Sequence, residues 1–311
     1  MPEMISVSGG VKRRIAVVGC GRVGTALAVS LCNAGDEVSV LWSRDSCKAA
    51  RIALECGAKG ANTLCDAVLG AEYIFLTVID SVIGKVASDM ASELSSKLKG
   101  PDLRDKCFYH MSGALTSEVL SPLKVLGGSC ASLHPLQTFP DVEMAIRTLP
   151  GSLFCAEGDE KAVAAAEGIV QAMGGKFRRI DTAMKGLYHA SAVMASPLLM
   201  ALMASAAEGM LACGLDIGSA KEGLSRLSAA TVEAFVKLGP ELGLTGPFVR
   251  GDAVTVGRNL AAIAEQCPQM LPIYLVLARK DLDIAEKAGT ESGRLDEIRK
   301  TMEVYEDVIC R

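Results

Sequence analysis

The stretch Arg14-Ile15-Ala16-Val17-Val18-Gly19-Cys20-Gly21-Arg22-Val23-Gly24-Thr25-Ala26-Leu27-Ala28 decides the fold. It reads as a buried strand, a tight glycine turn and the opening of a helix. Gly19 lets the chain reverse, Gly21 leaves a pyrophosphate room against the backbone, and Gly24 lets helix pack closely on strand. Free N–H groups at the helix start, with the helix dipole, then favour the phosphate charge. A lone G-x-G-x-x-G is a weak signal, and its bland reading is a turn that only packs helix on strand. The apolar run before it, the Ala-rich run after it and a second β-rich run at Glu37–Trp42 favour the dinucleotide reading. Gly19, Cys20, Gly21, Arg22, Val23 and Gly24 are the first candidate cofactor contacts.

An acidic residue at the end of the second strand holds the ribose of NAD; an Arg nearby takes the extra phosphate of NADP. Here that strand runs into Ser43-Arg44-Asp45. Ser43 offers a hydroxyl, and Arg44 a planar fork of donors that suits a phosphate and can lie over adenine. The sequence therefore favours NADP. Asp45, shifted by a residue or two, remains able to hold a ribose, and Arg44 is blandly a solvated loop charge.

The chain has 311 residues, half of them hydrophobic, and a formal net charge of −4. That length suits two domains in a globular protein. The charge and the scarcity of aromatics speak against nucleic-acid binding. Eleven cysteines are scattered, with no C-x-x-C pair and no zinc-ligand spacing to histidine. They read as small apolar residues in a reducing cytoplasm, and no metal is expected. Residues 1–12 lack the apolar core of a signal peptide and read as a frayed lead-in. The stretch 188–215 is apolar enough to resemble a membrane span, but His189, several Ser and Glu208 interrupt it. A helix packed on all sides is the expectation there, and no membrane partner.

From Arg14 to about Ile180, short β-rich runs alternate with Ala-rich helical runs. This pattern predicts a doubly wound, mostly parallel α/β sheet of the Rossmann type. Beyond it the β signal disappears, and an all-α C-terminal domain follows. The domains are expected at 12–180 and 181–311.

In such sheets ligands bind beyond the carboxyl ends of the strands. The third strand ends in Thr77-Val78-Ile79-Asp80, where Thr77, Val78 and Ile79 should pass the nicotinamide ribose and Asp80 should cap the next helix. Later strands end in His110-Met111-Ser112-Gly113-Ala114 and Leu133-His134-Pro135-Leu136-Gln137. The chain has three histidines, His110, His134 and His189. All fall at expected cleft positions, although a lone histidine is usually structural. Lys185 and His189 lie one helical turn apart, with Thr182 and Ser196 able to extend that face. A cation or general acid there would meet the charge or proton demand left by hydride addition to a carbonyl or imine. The bland alternative is a lysine that snorkels at the start of a buried helix.

These motifs resemble two-domain Rossmann-like oxidoreductases of domain-of-unknown-function family 2520. That family is similar to 6-phosphogluconate dehydrogenase-like enzymes, pyrroline-carboxylate reductases and ketopantoate reductases. The glycine turn carries the resemblance less specifically than His110-Met111-Ser112-Gly113-Ala114, Leu133–Phe139, Lys185–Ala190 and Thr245–Asp252. The resemblance implies an N-terminal NADP site, a helical C-terminal domain that dimerises, and a catalytic Lys at Lys185. It implies that Ser112-Gly113 is a substrate loop, and that a substrate Asn is replaced by His189. Relatives carry Ala-Ser-Asn where this chain has Ala195-Ser196-Pro197, and Pro197 removes a donor.

The catalytic candidates are thus Lys185, His189, His134 and Ser112, and the substrate candidates Ser112, Gly113, His110, Ser196 and Arg250. The expected activity is hydride transfer between NADP and a small carbonyl or imine compound that carries a carboxylate, ketopantoate being the named candidate. The alternatives are a non-catalytic NADP-binding sensor and an NADP reductase linked to a deazaflavin.

Overall fold

A computed structural model describes residues 12–309 apart from 99 and 101. All but the last residue of the lead-in expected at 1–12 lies outside the described residues. The chain divides into two compact units, the first ending at Val193 and the second covering Met194–Arg311.

The first unit is built on one eight-stranded sheet. Its strands are β1 (Arg14–Val18), β2 (Glu37–Trp42), β3 (Lys59–Gly60), β4 (Tyr73–Leu76), β5 (Cys107–His110), β6 (Ser129–Pro135), β7 (Leu153–Gly158) and β8 (Lys176–Arg179). The order is β3-β2-β1-β4-β5-β6-β7-β8. Every pairing is parallel except β6 with β7, which run antiparallel. The two-residue edge strand β3 carries no β pattern and was not foreseen from sequence.

Strand β1 shows why the sheet is covered on both faces. Ile15 and Val17 enter one apolar layer, with Leu27, Leu31, Ile52 and Ile169. Ala16 and Val18 enter the other, with Leu64, Val68, Ile83 and Met90. Successive side chains on a strand point to opposite faces, so an uninterrupted apolar run must be buried twice. The first layer is covered by α1 (Arg22–Asn33), α2 (Ser46–Cys56) and, later in the chain, α7 (Glu160–Ala172); the second by α3 (Leu64–Leu69) and α4 (Asp80–Lys97). The short helices α5 (Ser121–Lys124) and α6 (Val142–Thr148) lie between β5 and β7 in the chain.

The order reverses between β1 and β4, which opens a crevice at their carboxyl ends, where open α/β sheets bind ligands. Ser132 pairs with His110 across β6 and β5, so β6 runs on past the end of β5 and carries His134 with it. A turn at Thr182–Met184 leads into α8 (Lys185–Ala195).

The second unit is helical: α9 (Pro197–Ala212), α10 (Ile217–Gly243), α11 (Ala253–Gln266), α12 (Leu271–Lys287) and α13 (Ser292–Ile309). Its core joins Phe248, Val256, Leu260, Leu275, Leu282, Leu295 and Ile298. The expected continuous buried helix over 188–215 is corrected. It breaks at Ser196, because Pro197 cannot donate the backbone bond that would continue α8 and instead occupies the first turn of α9. No residue of α9 is buried. By length and composition alone the span Thr182–Ala212 could cross a membrane, an 18-residue window of it having a mean hydropathy of 1.7. Apolar side chains of α9 and α10, among them Leu198, Met200, Phe235, Val236 and Leu242, are exposed.

Candidate active site

The glycine turn is built as its spacing requires. Gly19 has φ +115, and a Cβ there would come within 2.9 Å of the Thr77–Val78 backbone. A Cβ on Gly24 would collide with the Gly19 carbonyl and the Thr77 hydroxyl. Thr77 Oγ donates to that carbonyl at 2.6 Å and locks the turn to the end of β4. Above Gly21 a Cβ would meet nothing within 4 Å, and Gly21 caps α1 without a side chain. The cradle thus offers open space and bare amides at a helix start, which fits a diphosphate. Beside it lies a cleft of about 610 Å³ whose wall includes Gly19, Cys20, Gly21, Ser43, Arg44, Thr77, Val78 and Ile79. Arg22 instead donates to the carbonyls of Phe139 and Pro140 at 3.1 and 2.9 Å. Burial pushes the Cys20 thiol up to about 11, so it is an inert wall group.

The ambiguity over Asp45 disappears in the fold. Its carboxylate caps α2 by accepting the Lys48 amide at 3.0 Å, while Arg44 makes no ion pair among the described residues. Arg44→Ala is expected to weaken NADPH binding about tenfold, one lost charge-assisted contact, and to leave NADH binding within about twofold. Trp42, the chain's single tryptophan, lines the same cleft, so quenching of its fluorescence measures both affinities. Equal losses for the two nucleotides would remove Arg44 from the phosphate site.

A second group of side chains forms where β5, β6 and α8 meet. His134 Nδ1 lies 2.8 Å from the Tyr188 hydroxyl. The His134 and His189 rings stand edge to face, with centroids 5.9 Å apart. A Cβ on Gly113 would lie 2.8 Å from His134 Nε2 and collide with His189 Nδ1, so both imidazoles converge on the bare face of Gly113. His189 Nδ1 is buried with no hydrogen-bond partner among the described residues. The Tyr188 phenol also lies against the Cys155 thiol. Imidazole is the stronger acceptor, so the phenol donates to Nδ1 and His134 Nε2 keeps the ring proton.

Lys185 is 1% exposed, and its ammonium donates to Ser132 Oγ. Ser132 Oγ in turn donates to the Ser112 carbonyl at 3.2 Å. Burial lowers Lys185 to about 8, against the opposing pull of Glu157, Cys155 and Asp80. Glu157, itself buried, accepts from Ser117 N and Oγ at 2.8 and 2.9 Å and from Thr182 Oγ at 2.8 Å.

The structure places the other sequence candidates differently. His110 is fully buried; its Nδ1 accepts the Ser112 amide at 3.2 Å, and its Nε2 donates to the Thr116 carbonyl at 3.1 Å. Ser112 Oγ donates to Asp80 at 2.6 Å and accepts the Ala114 and Leu115 amides at 3.1 Å each. Both residues therefore spend their polar atoms on the loop and offer none to a substrate. Asp80 does not cap α4: the N-cap is Ile79, without a side-chain bond. Ser196 and Arg250 belong to the second unit, where the Arg250 carbonyl accepts from Arg294 at 3.3 Å. Ser132, Glu157 and Tyr188 were not singled out from sequence. Tyr188 had a signal, lying three residues from Lys185 on one helix, whereas Ser132 and Glu157 meet only through the β6–β7 register.

Burial, with the nearby Lys185 charge, pushes both His110 and His134 down to about 4 from the ordinary 6.5. Between these values the unfolded chain binds protons that the folded chain refuses, so stability falls as the pH falls. Acidifying from pH 7 to 4 is expected to cost about 3 kcal/mol through buried His110 and less through His134. Denaturant titrations of His110→Gln against wild type check this; equal losses in both would exclude a neutral buried ring.

Residues 152–281 match the family described as domain of unknown function DUF2520, and residues 14–99 match NADP oxidoreductase, coenzyme F420-dependent. The chain joins a Rossmann-type NADP oxidoreductase domain to a DUF2520 domain. With the glycine cradle and Arg44 on the cleft wall, its nucleotide is NADP. Among solved structures it is similar to protein TM1727 of Thermotoga maritima, at 25% identity and TM-score 0.70, over 88% of this chain and 98% of that one. It also resembles a putative NADP oxidoreductase, BF3122, from Bacteroides fragilis, at 20% and 0.66, over 88% and 98%. A reductive aminase from Aspergillus terreus in complex with NADPH4, cyclohexanone and allyl amine matches at 19% and 0.63, over 93% and 99%. No curated protein matches the chain.

Proposed function

We propose that the chain is an NADPH-dependent reductase of a small carbonyl or imine compound that carries a carboxylate, with ketopantoate as the named candidate. One observation carries this reading: two imidazole nitrogens, one of them buried and unpartnered, converge on Gly113, which has no side chain to part them. The bound nucleotide would supply hydride to the carbon of a C=O or C=N group. The protein's part is to hold the heteroatom and hand it a proton. His134 is neutral at physiological pH, so its Nε2–H is a hydrogen-bond donor without net charge. Tyr188 backs it by donating to Nδ1, which keeps the proton at Nε2 and lets the ring relay one. His189 Nδ1 offers a second contact to the heteroatom. Lys185, bonded to Ser132, holds the Ser112–Gly113 peptide in place and adds positive potential where negative charge develops.

The exposed apolar side chains of α9 and α10 support a homodimer formed through the helical unit, the usual meaning of such surface on a soluble protein. The ten cysteines of the described residues are all free thiols, which supports a reducing cytoplasm.

The test follows NADPH absorbance against cyclic imines, 2-oxo acids including ketopantoate, and an oxidised deazaflavin. The last arm is included because the 14–99 match is to a family described as coenzyme F420-dependent. Turnover of an imine or 2-oxo acid that is lost in His134→Gln supports the proposal. Turnover with deazaflavin alone would replace it with the cofactor-linked reading. Tight NADPH binding without any turnover would make the chain a sensor.

A further inference from the structure

The Ser112–Gly113 peptide is gripped from two sides. Ser132, held by Lys185, takes its carbonyl. Asp80 takes the Ser112 hydroxyl proton at 2.6 Å, and the same oxygen accepts two loop amides. A hydroxyl has one proton and two lone pairs, so Ser112 is saturated by this arrangement. Asp80 is the first residue of α4, directly after Thr77, Val78 and Ile79 on the cofactor wall. A hydroxyl–carboxylate bond of this length is a strong, charge-assisted one. One carboxylate therefore joins the strand end that lines the nucleotide cleft to the loop that carries Gly113 against His134 and His189.

We propose that Asp80 is a positioning residue that couples the two halves of the site. It ties the 112–115 loop, and through Gly113 the two imidazoles, to the cofactor-lining segment. Nucleotide seated against residues 77–79 then tightens the loop that sets the imidazoles. The purpose of this coupling rests on the reductase reading; the coupling itself is measurable without any substrate.

Hydrogen exchange of wild type, Asp80→Asn and Asp80→Ala is followed with and without NADP⁺, with affinity read from Trp42 fluorescence. In wild type, NADP⁺ is expected to slow exchange at 77–82 and, about tenfold, at 112–115, within the usual range of coupling between sites. In Asp80→Ala only the 77–82 segment slows. Asp80→Asn restores part of the effect, since its amide oxygen still accepts the Ser112 proton. A merely structural Asp80 would speed exchange at 112–115 in Asp80→Ala equally with and without nucleotide, leaving the NADP⁺-induced slowing intact; that result overturns the proposal. So does absence of slowing at 112–115 in wild type. If Asp80→Ala does not fold, Ser112→Ala takes its place, with the same expected loss. A substrate panel without turnover would sink the reductase reading and leave this comparison untouched.

Discussion

Gly113→Ala is expected to leave NADPH affinity within about twofold and to cut turnover about a hundredfold, the scale of a 1 Å misplacement of a reacting group. The substitution is clean because φ at Gly113 is not positive, so the backbone accepts alanine without strain. The whole effect comes from the new methyl group. It would collide with His189 Nδ1 and stand 2.8 Å from His134 Nε2, so at least one ring must turn away. His134 is tied to Tyr188, and turning it breaks that bond. The methyl group also stands against His134 Nε2, the donor offered to the heteroatom. Overpacking of this kind costs about 1–3 kcal/mol of stability, small enough for the variant to fold. Single-turnover kinetics and Trp42 fluorescence separate the two readouts. Turnover within twofold of wild type would mean that the imidazoles do not meet the substrate at Gly113.

The nucleotide half of this site was legible in the sequence, and the proton half only partly. Gly19, Gly21 and Gly24 stand out because a short strand–turn–helix leaves each one place to go; the fold admits no side chain at Gly19 and Gly24 and leaves open space at Gly21. Arg44 follows from a fixed offset to β2. Lys185 and His189 were readable as one helical face. The face proved divided: Lys185 turns into the sheet and bonds Ser132, while His189 leaves a nitrogen at Gly113. No spacing rule foretells that division, since it depends on which strand lies beneath. Ser132 and Glu157 are 25 residues apart and become neighbours only because β7 runs antiparallel to β6. Asp80 reads as a helix cap, the common fate of an Asp after a strand. Its carboxylate instead serves a loop 32 residues away, because Ser112 has a proton to give. Long-range polar pairing of this kind leaves no periodic trace.

Lys185→Met is expected to be inactive yet no less stable than wild type at pH 7. Lys185 is enclosed, and its ammonium is held well below its ordinary 10.5, at about 8. Such a depression costs the folded state about 3 kcal/mol wherever the amine is charged in both states, that is, below pH 8. Between pH 8 and 10.5 the folded chain has lost the proton that the unfolded chain still holds, so stability rises with pH across that window. Methionine has a similar shape and no charge. It removes the cost, and the difference in stability between variant and wild type should shrink as the pH rises from 7 to 10. Glu157 is not stranded by the change, since Ser117 and Thr182 still donate to it. What is lost is the donor to Ser132, and with it the hold on the Ser112–Gly113 peptide and the positive potential at the heteroatom. Turnover should drop about a hundredfold or more. In wild type, reduction should decline above pH 8 as Lys185 loses its proton, and Lys185→Met should lack that limb. Retained buried charge at a net cost is what a site selected for chemistry rather than for stability would show. An active Lys185→Met, or one destabilised by several kcal/mol at pH 7, would make the lysine an ordinary structural group.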